Sequence, residues 1–287
     1  SIKGQKDYDL IQFKYIIKAF NEYKYDAINI GKREASLSLA DLENCKKWGG
    51  DLIVSANLVY KKSGKPIFKP YKIVKKGSKK IAIIGLVDPI GLRAVLDENV
   101  AINDMGLVLQ NILPDLRSQV DSIVVLAFAK NDKLNALAKE FIEVKLILGG
   151  DVEQPSQELE KVYDCAVLAT TNDSRAMGWY YVMIDEKNKW VNEKFEMIFI
   201  SEMFSQSKLI ESINDKYKEE IRNVILNIDK KNFNDENGVP GVKSNMTYVG
   251  SESCLACHSE TYEKWSKTQH AHAFKSLKDK KADADPN

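Results

Sequence analysis

Two thiols and an imidazole near the end of the chain have the spacing of a chemical site. Cys254 and Cys257 are three residues apart, and His258 directly follows the second cysteine. Cys-x-x-Cys-His is the attachment motif of a c-type haem, in which the thiols bond to the porphyrin vinyl groups and the histidine is the fifth iron ligand. The chain has three histidines, and the other two, His270 and His272, lie shortly after the motif. The motif therefore predicts a covalently bound haem c.

Two other kinds of site would use the same residues. The pattern Cys-x2-Cys-x12-His-x-His is close to a zinc finger, but a finger has three to five residues between its histidines. On a helix, residues two positions apart point roughly 200° away from each other, so His270 and His272 would face opposite sides. A disulfide or redox-active Cys-x-x-Cys pair is the third interpretation, and it leaves the histidines without a role. We favour haem over zinc and over a redox pair.

The same segment resembles the haem segments of multihaem c-type cytochromes. The shared features are the Cys-x-x-Cys-His motif, Tyr262 and Trp265 at helical spacing, and a Thr-x-His step that ends at His270. The resemblance implies that His258 is the proximal iron ligand and that His270 is a distal ligand of this or another haem. It implies that His272 serves a neighbouring haem or none. Because such proteins carry several haems, we expect a fragment of a longer chain, with further haem domains or a separate redox protein as partner.

Composition excludes several classes of function. With 287 residues, 44% apolar and 29% charged, the chain is long enough for a full core and a second small module. The net charge of +1 favours neither a nucleic-acid partner nor an acidic substrate, and no apolar run approaches the length of a membrane span. Because this type of haem is attached outside the cytoplasm, we expect an extracytoplasmic bacterial protein. Cys45 and Cys165 are interpreted as buried apolar residues, with a disulfide between them as the alternative.

Upstream of the motif, strand patterns and helix patterns alternate with short connections. This alternation predicts an α/β fold built on a layered sheet and closed by two antiparallel strands. The predicted strands are 26–30, 52–54, 81–87, 123–127, 144–148, 166–169, 179–184 and 195–200, and the predicted helices are 8–24, one after the N-cap Ser38, 104–118 and 132–141.

Two further stretches have a distinctive composition. Residues 61–80 contain nine lysines interleaved with prolines and aromatics, which predicts an exposed β-hairpin with lysines along its edge rather than a nucleic-acid site. Residues 208–228 carry an apolar helical stripe that we expect to pack on its own chain, with oligomerisation through a partner helix as the alternative. The predicted domains are 1–204 for the α/β part, 205–247 for the helix and a polar linker, and 248–287 for the start of a cytochrome domain.

Several phrases of the α/β part resemble the metallophosphoesterase domain of bacterial 5′-nucleotidases. The resemblance implies the calcineurin-like layered sheet with helices on both faces, with its first metal-binding strand before Ser1. It also implies two metal ions that polarise a phosphate and generate hydroxide between them. The matching phrases, in the family's order and spacing across roughly residues 8–200, are Tyr25–Glu34, Ser55–Leu58, Lys69–Tyr71, Lys80–Leu86, Val124–Phe128 and Leu146–Glu153.

The residues at the implied metal positions have the wrong chemistry for that activity. Lys32 and Arg33 stand where the family has an asparagine and its catalytic histidine, and Phe128 replaces a histidine ligand. Asp151 and Glu153 replace a pair of histidines, and the chain has no histidine before the haem motif. Two cations at this place repel a dication instead of binding it. We therefore expect a catalytically silent domain without a divalent metal.

An all-oxygen site for Mg²⁺, Ca²⁺ or Mn²⁺ is the alternative at the same place. Its candidate ligands are Glu34, Asp151, Glu153 and Asp173. The interpretation that we favour makes these carboxylates solvated loop residues, one of which forms an ion pair with Lys32 or Arg33.

The favoured function is that of an exported electron-transfer protein whose silent α/β domain serves as a scaffold or docking module. One alternative is an active phosphoesterase that carries a cytochrome tail. Another is an interaction module that binds a ligand in the former active-site cleft without turning it over.

Overall fold

The computed structural model describes residues 5–92, 95–171, 176–201, 204–205, 207–234 and 250–279. Its α-helices are α1 (Gln5–Glu22), α2 (Lys32–Ala35), α3 (Leu39–Gly49), α4 (Met105–Leu116), α5 (Asn131–Glu140), α6 (Lys208–Asn234), α7 (Ser259–Ser266) and α8 (Ala273–Asp279). Its strands are β1 (Ile28–Asn29), β2 (Ile53–Val54), β3 (Leu58–Tyr60), β4 (Tyr71–Lys76), β5 (Lys79–Val87), β6 (Val100–Ile102), β7 (Ser122–Phe128), β8 (Val144–Gly149), β9 (Glu160–Val162), β10 (Cys165–Ala169), β11 (Ala176–Ile184) and β12 (Trp190–Phe199).

These elements belong to two compact units. One comprises the described residues of Ile16–Ser205, and the other comprises those of Ser1–Tyr15 and Gln206–Asn287. Because residues 235–249 lie outside the described part, the predicted domain bounds 1–204, 205–247 and 248–287 stay predictions.

The unit that spans Ile16–Ser205 is built on a six-stranded sheet with the order β4-β5-β7-β8-β10-β9. Strands β5, β7, β8 and β10 run parallel, whereas the edge strands β4 and β9 are antiparallel to their neighbours. The parallel strands are apolar on both faces because both faces of the sheet are covered. Their carboxyl ends meet at one edge, the place where α/β folds assemble their sites. The predicted layered α/β fold is confirmed.

Helices α4 and α5 cover one face of this sheet. Leu109 and Leu113 of α4 and Leu134 and Leu137 of α5 are at most 2% exposed, and they pack with Ile84 of β5 in one apolar cluster. Burial of each such side chain contributes about 1.5–3 kcal/mol. The helices that the sequence predicts at 104–118 and 132–141 therefore hold the sheet from this side.

The β11–β12 hairpin packs on the opposite face. Tyr180, Trp190 and Phe195 contact an apolar cluster of this face that includes Val124. The indole N–H of Trp190 also donates to the hydroxyl of Ser122 at 2.8 Å. The two strands predicted to close the domain pair antiparallel, as expected.

The small parallel sheet of β1 and β2 approaches β5 closely at Gly85. A Cβ atom at this position would lie 2.1 Å from the carbonyl oxygen of Val54 and 2.6 Å from the side-chain oxygen of Asn29. The Asn29 amide in turn donates to the carbonyl groups of Leu86 (2.6 Å) and Leu126 (3.0 Å) in β5 and β7. Glycine at this position therefore allows the β1–β2 pair to lie directly against the main sheet.

The lysine-rich stretch forms the predicted hairpin only in its second half. Strands β4 and β5 pair with Lys76 opposite Lys79, and Gly77 occupies the turn with a φ of 61°. Residues 61–70 form turns and isolated bridges instead of a strand. The proline at 66 lacks the N–H that a regular ladder requires, which accounts for the difference.

Two other elements differ in length from their predictions. The strand expected at 26–30 is reduced to Ile28–Asn29, because only these two residues pair with β2. Helix α6 continues from Lys208 to Asn234, across the start of the predicted linker. Residues 229–234 contain no glycine or proline, so nothing local ends the helix there.

Within the other unit, α6 contacts the first part of α1. Glu220 accepts hydrogen bonds from Lys14 Nζ (2.9 Å) and Tyr15 OH (2.8 Å), and the Tyr15 and Tyr217 rings meet edge-on at 5.8 Å. Burial and the neighbouring Glu220 raise the pKa of Tyr15 to about 12. The apolar stripe of α6 includes Ile213, which is 7% exposed. Oligomerisation through this helix stays a prediction.

Among the described residues, no helix combines the length and the apolar composition that crossing a bilayer requires.

Candidate functional site

The haem motif folds into a single turn of backbone. Cys254 ends a short 3₁₀ helix, and its carbonyl oxygen accepts from the N–H groups of Cys257 (3.3 Å) and His258 (2.9 Å). The carbonyl of His258 then accepts from the N–H of Tyr262 at 2.8 Å, as the first turn of α7. Backbone hydrogen bonds thus bring both thiols and the imidazole onto one turn, as the sequence predicts.

Most of the segment around this turn is exposed to solvent. Cys254 and Cys257 are free and exposed, and none of residues 250–273 and 275–279 is buried. Even Leu255 and Trp265 are 46% and 39% exposed. A peptide of this size cannot bury enough apolar surface to fold stably alone. A porphyrin held by two thioethers and one imidazole would supply that missing surface, so the residues present fit a haem c.

The remaining two histidines lie in the next turn. His270 and His272 belong to a 3₁₀ helix that follows α7, and the Thr268 hydroxyl donates to the carbonyl of Trp265 at 2.6 Å to secure the connection. In a 3₁₀ helix, residues two apart point about 240° away from each other, so the two imidazoles face different directions. The Tyr262 and Trp265 rings lie 5.6 Å apart in α7. The two imidazoles therefore point in different directions, which does not favour one zinc ion held by both.

The second candidate site lies at the carboxyl edge of the main sheet. We call residues 30–34 after β1, 88–92 after β5 and 150–154 after β8 the carboxyl-edge loops. Lys32 Nζ lies 2.5 Å from Asp151 Oδ2, and these side chains are only 13% and 21% exposed. The expectation that Lys32 or Arg33 pairs with one of the carboxylates is confirmed.

The other candidate carboxylates have different surroundings. Glu34 Oε2 accepts from the N–H of Gly31 at 3.2 Å and so caps helix α2. Glu153 is exposed and lines, together with Asp151 and Lys130, a cleft of about 410 Å³. Asp173 lies outside the described residues. Within the described part of the chain, no three His, Cys, Asp or Glu side chains are arranged to hold a metal ion.

An aromatic ring occupies the centre of the carboxyl-edge loops. Phe128 ends β7, and a Cβ atom on Gly31 or Gly150 would lie 3.5 Å or 3.0 Å from its ring. The ring thus lies between the loops that follow β1 and β8. An apolar ring, an ammonium group and an already paired carboxylate are not ligands for a pair of divalent cations. The residues present do not fit the two-metal centre that the family resemblance implies.

Sequence reasoning assigned no individual role to Asn57, although it belongs to a matching phrase. Asn57 is fully buried, and its amide donates to the carbonyl groups of Val87 (2.7 Å) and Asn103 (2.9 Å). Its side-chain oxygen accepts from the Val87 N–H at 2.9 Å. The residue therefore holds the carboxyl end of β5. No local pattern in the sequence indicates this role, because the partners lie 30 and 46 positions away.

The two cysteines outside the haem motif are buried and free. Burial raises the pKa of both Cys45 and Cys165 to about 12, so both thiols stay protonated near neutral pH. Their interpretation as small buried apolar residues is confirmed.

Known proteins resemble both parts of the chain. The family described as cytochrome c554 and c-prime matches residues 253–286. Protein UshA of Escherichia coli is 35% identical over 83 residues, which are 29% of this chain and 15% of UshA. The 2′,3′-cyclic-nucleotide 2′-phosphodiesterase/3′-nucleotidase of Salmonella typhimurium is 33% identical over 138 residues, 44% of this chain and 21% of that protein. The chain thus spans about a fifth or less of the curated relatives that it matches.

Solved structures show the same fold. The calcineurin-like phosphoesterase YfkN of Bacillus subtilis has a TM-score of 0.61 at 21% identity and covers 79% of each chain. The 5′-nucleotidase precursor of Thermus thermophilus has a TM-score of 0.62 at 22% identity and covers 72% of this chain and 45% of its own. The chain therefore combines a region homologous to 5′-nucleotidases, with the calcineurin-like phosphoesterase fold, and a segment that matches a c-type cytochrome family.

Proposed function

We propose that this chain is an exported c-type cytochrome that acts in electron transfer. Its 5′-nucleotidase-like domain is, in this proposal, catalytically silent and serves as a scaffold or docking module. The observation that carries the proposal is the turn of Cys254, Cys257 and His258, exposed within a segment in which none of residues 250–273 and 275–279 is buried. The match of residues 253–286 to the cytochrome c554 and c-prime family supports it.

Different residues of this segment anchor the porphyrin, ligate its iron and pack against the ring. Cys254 and Cys257 anchor the porphyrin through thioether bonds, and His258, which directly follows the second anchor and is the N-cap residue of α7, is the proximal ligand. When bound, the haem supplies one-electron exchange at its iron. Tyr262 and Trp265, on successive turns of α7, pack on the macrocycle.

A second imidazole decides which chemistry the segment favours. His270 is the proposed distal ligand of this haem or of a neighbouring one, and His272 serves a different haem or none. Two imidazoles saturate the iron, which favours outer-sphere electron exchange over binding of O₂ or a substrate. The partner is then another redox protein or further haem domains of a longer chain. The proposed location is the periplasm or the cell surface, since covalent haem attachment takes place outside the cytoplasm.

An absorption spectrum of the native protein, oxidised and then reduced with dithionite, tests the haem proposal. We expect sharp reduced bands that survive acid–acetone extraction. The variant His258→Ala should lose the low-spin spectrum, whereas Glu260→Ala, an exposed change on the same helix, should keep it. A colourless native protein, or a His258→Ala spectrum identical to that of the native protein, would refute the assignment.

The silent-domain part of the proposal has a separate test. Phosphate release from a nucleoside monophosphate is measured with added Mg²⁺ or Mn²⁺, and no release above the buffer rate is expected. The alternative, an active phosphoesterase, predicts release that disappears when Asp151 and Glu153 are replaced together by Asn and Gln. Such release would overturn the silent-domain proposal without affecting the haem assignment.

A further inference from the structure

We propose that Lys32 is a built-in cation of the carboxyl-edge loops, so that the 5′-nucleotidase-like domain reaches its stable fold without divalent metal ions. This inference rests on the silent-domain part of the proposed function and adds a physical cause to it. Where related metal-dependent enzymes bind free metal ions, the positive charge here belongs to the ammonium group of the Lys32 side chain. Asp151 is its counter-ion.

The position of Lys32 follows from the strand order. Parallel strands end at the same edge, so the loops after β1, β5 and β8 converge although they are far apart in sequence. Lys32 Nζ lies 2.5 Å from Asp151 Oδ2 after β8, a pairing across 119 positions. The same Nζ would lie 3.4 Å from a Cβ atom on Gly91, in the loop after β5. A single side chain therefore pairs with the loop after β8 and lies beside the loop after β5.

Burial makes this pairing more consequential than an ordinary surface ion pair. Lys32 and Asp151 are 13% and 21% exposed, whereas the two partners of the pair Lys76–Asp26 are 58% and 42% exposed. Solvent and salt strongly screen the charges of an exposed pair, so such pairs contribute little to the stability of the fold. Removal of one partner of a largely buried pair leaves an uncompensated charge, which is strongly destabilising. The Lys32–Asp151 pair is therefore a structural requirement of the loops.

Among the described residues, no three His, Cys, Asp or Glu side chains are arranged to hold a metal ion that could take over this role. The Glu34 carboxylate is occupied by the Gly31 N–H, and the Phe128 ring lies between Gly31 and Gly150. The Asp151 carboxylate already faces a positive charge that a dication would have to displace. The disagreement with the two-metal chemistry of the family is thus explained by one residue, Lys32, that supplies the positive charge permanently.

The experiment compares thermal unfolding of the full chain, followed by circular dichroism, in EDTA and in millimolar Mn²⁺. We expect the wild-type Tm to be the same in both buffers, and no Mn²⁺ to be retained after gel filtration. Lys32→Met should lower the Tm by about 6–20 °C, because it leaves the largely buried Asp151 carboxylate without its counter-ion. Lys130→Met, an exposed lysine of the same cleft, should change it by about 1 °C or less.

A double variant distinguishes the loss of the Lys32–Asp151 ion pair from an unspecific loss of stability caused by the substitution itself. Lys32→Met combined with Asp151→Asn removes both charges, so part of the lost Tm should return. Asp151→Asn alone completes the comparison. The inference is overturned if EDTA lowers the wild-type Tm, if Lys32→Met behaves like Lys130→Met, or if the Tm loss of the double variant equals the sum of the losses of Lys32→Met and Asp151→Asn. None of these results depends on phosphate release, so failure here and failure of the silent-domain proposal are distinguishable.

Discussion

The replacement Asn57→Ala tests whether the Asn57 side chain holds the carboxyl end of β5 in place. Asn57 is fully buried, and its side chain makes three hydrogen bonds to the main chain of Val87 and Asn103. Alanine removes the donors and the acceptor together. The N–H and carbonyl groups of the buried Val87 then lose their side-chain partner, and so does the carbonyl of Asn103, which is an exposed residue.

The magnitude follows from counting these groups. Each buried backbone group left without its partner costs about 1–3 kcal/mol. The two buried groups of Val87 therefore predict a loss of about 2–6 kcal/mol in the free energy of unfolding. Since domains have a total of about 5–15 kcal/mol, the variant should remain folded in dilute buffer but lose much of its margin.

Urea unfolding at equilibrium, followed by circular dichroism with the haem-loaded full chain, measures this loss. A lower midpoint with an unchanged slope is expected, because the folded and unfolded surfaces stay nearly the same. Asn99→Ala is the matched control: its side chain is exposed and makes one weak hydrogen bond to Asp97 at 3.3 Å, so a change within about 0.5 kcal/mol is expected. A loss below about 1 kcal/mol for Asn57→Ala would show that its hydrogen bonds do not hold β5 in place.

Two further predictions concern other contacts. Gly85→Ala should lower the free energy of unfolding in urea by about 1–3 kcal/mol, because the new Cβ atom collides with the Val54 carbonyl oxygen. The control Gly106→Ala in α4 should change it by about 1 kcal/mol or less. Equal losses for the two variants would contradict the close approach of β2. Although burial opposes ionisation of Glu220, hydrogen bonds from Lys14 and Tyr15 keep its pKa below the ordinary value. This carboxylate therefore stabilises the fold above the ordinary glutamate pKa of about 4.3, and the contribution is lost as the pH falls through its lowered pKa. Glu220→Gln should flatten that part of a stability–pH profile, and Glu219→Gln should not; identical acid profiles for wild type and Glu220→Gln would refute this contribution.

Sequence patterns predict the elements of the main sheet well, because their signal is local. Apolar runs such as 123–127 identify buried parallel strands, and Ser38 marks the start of α3 through a hydrogen bond to the Asp41 N–H. The predictions fail in length where the cause is not local. The strand expected at 26–30 keeps only two residues, because its partner β2 is equally short.

The sequence by itself determines the haem motif. Cys254, Cys257 and His258 are so close in the chain that one backbone turn brings their reactive groups together, whatever the rest of the molecule does. The absence of histidine from residues 1–257 likewise shows, without any knowledge of the fold, that this stretch carries no histidine ligand.

Only the tertiary structure decides what replaces those ligands. Sequence reasoning left Lys32 and Arg33 as equal candidates for an ion pair and four carboxylates as equal candidates for its partner. Parallel strands bring their carboxyl ends to one edge, and there Lys32 meets Asp151 across 119 positions while Glu34 turns back to the Gly31 N–H. Such pairings depend on the relative positions of strands, and no spacing along the chain encodes them.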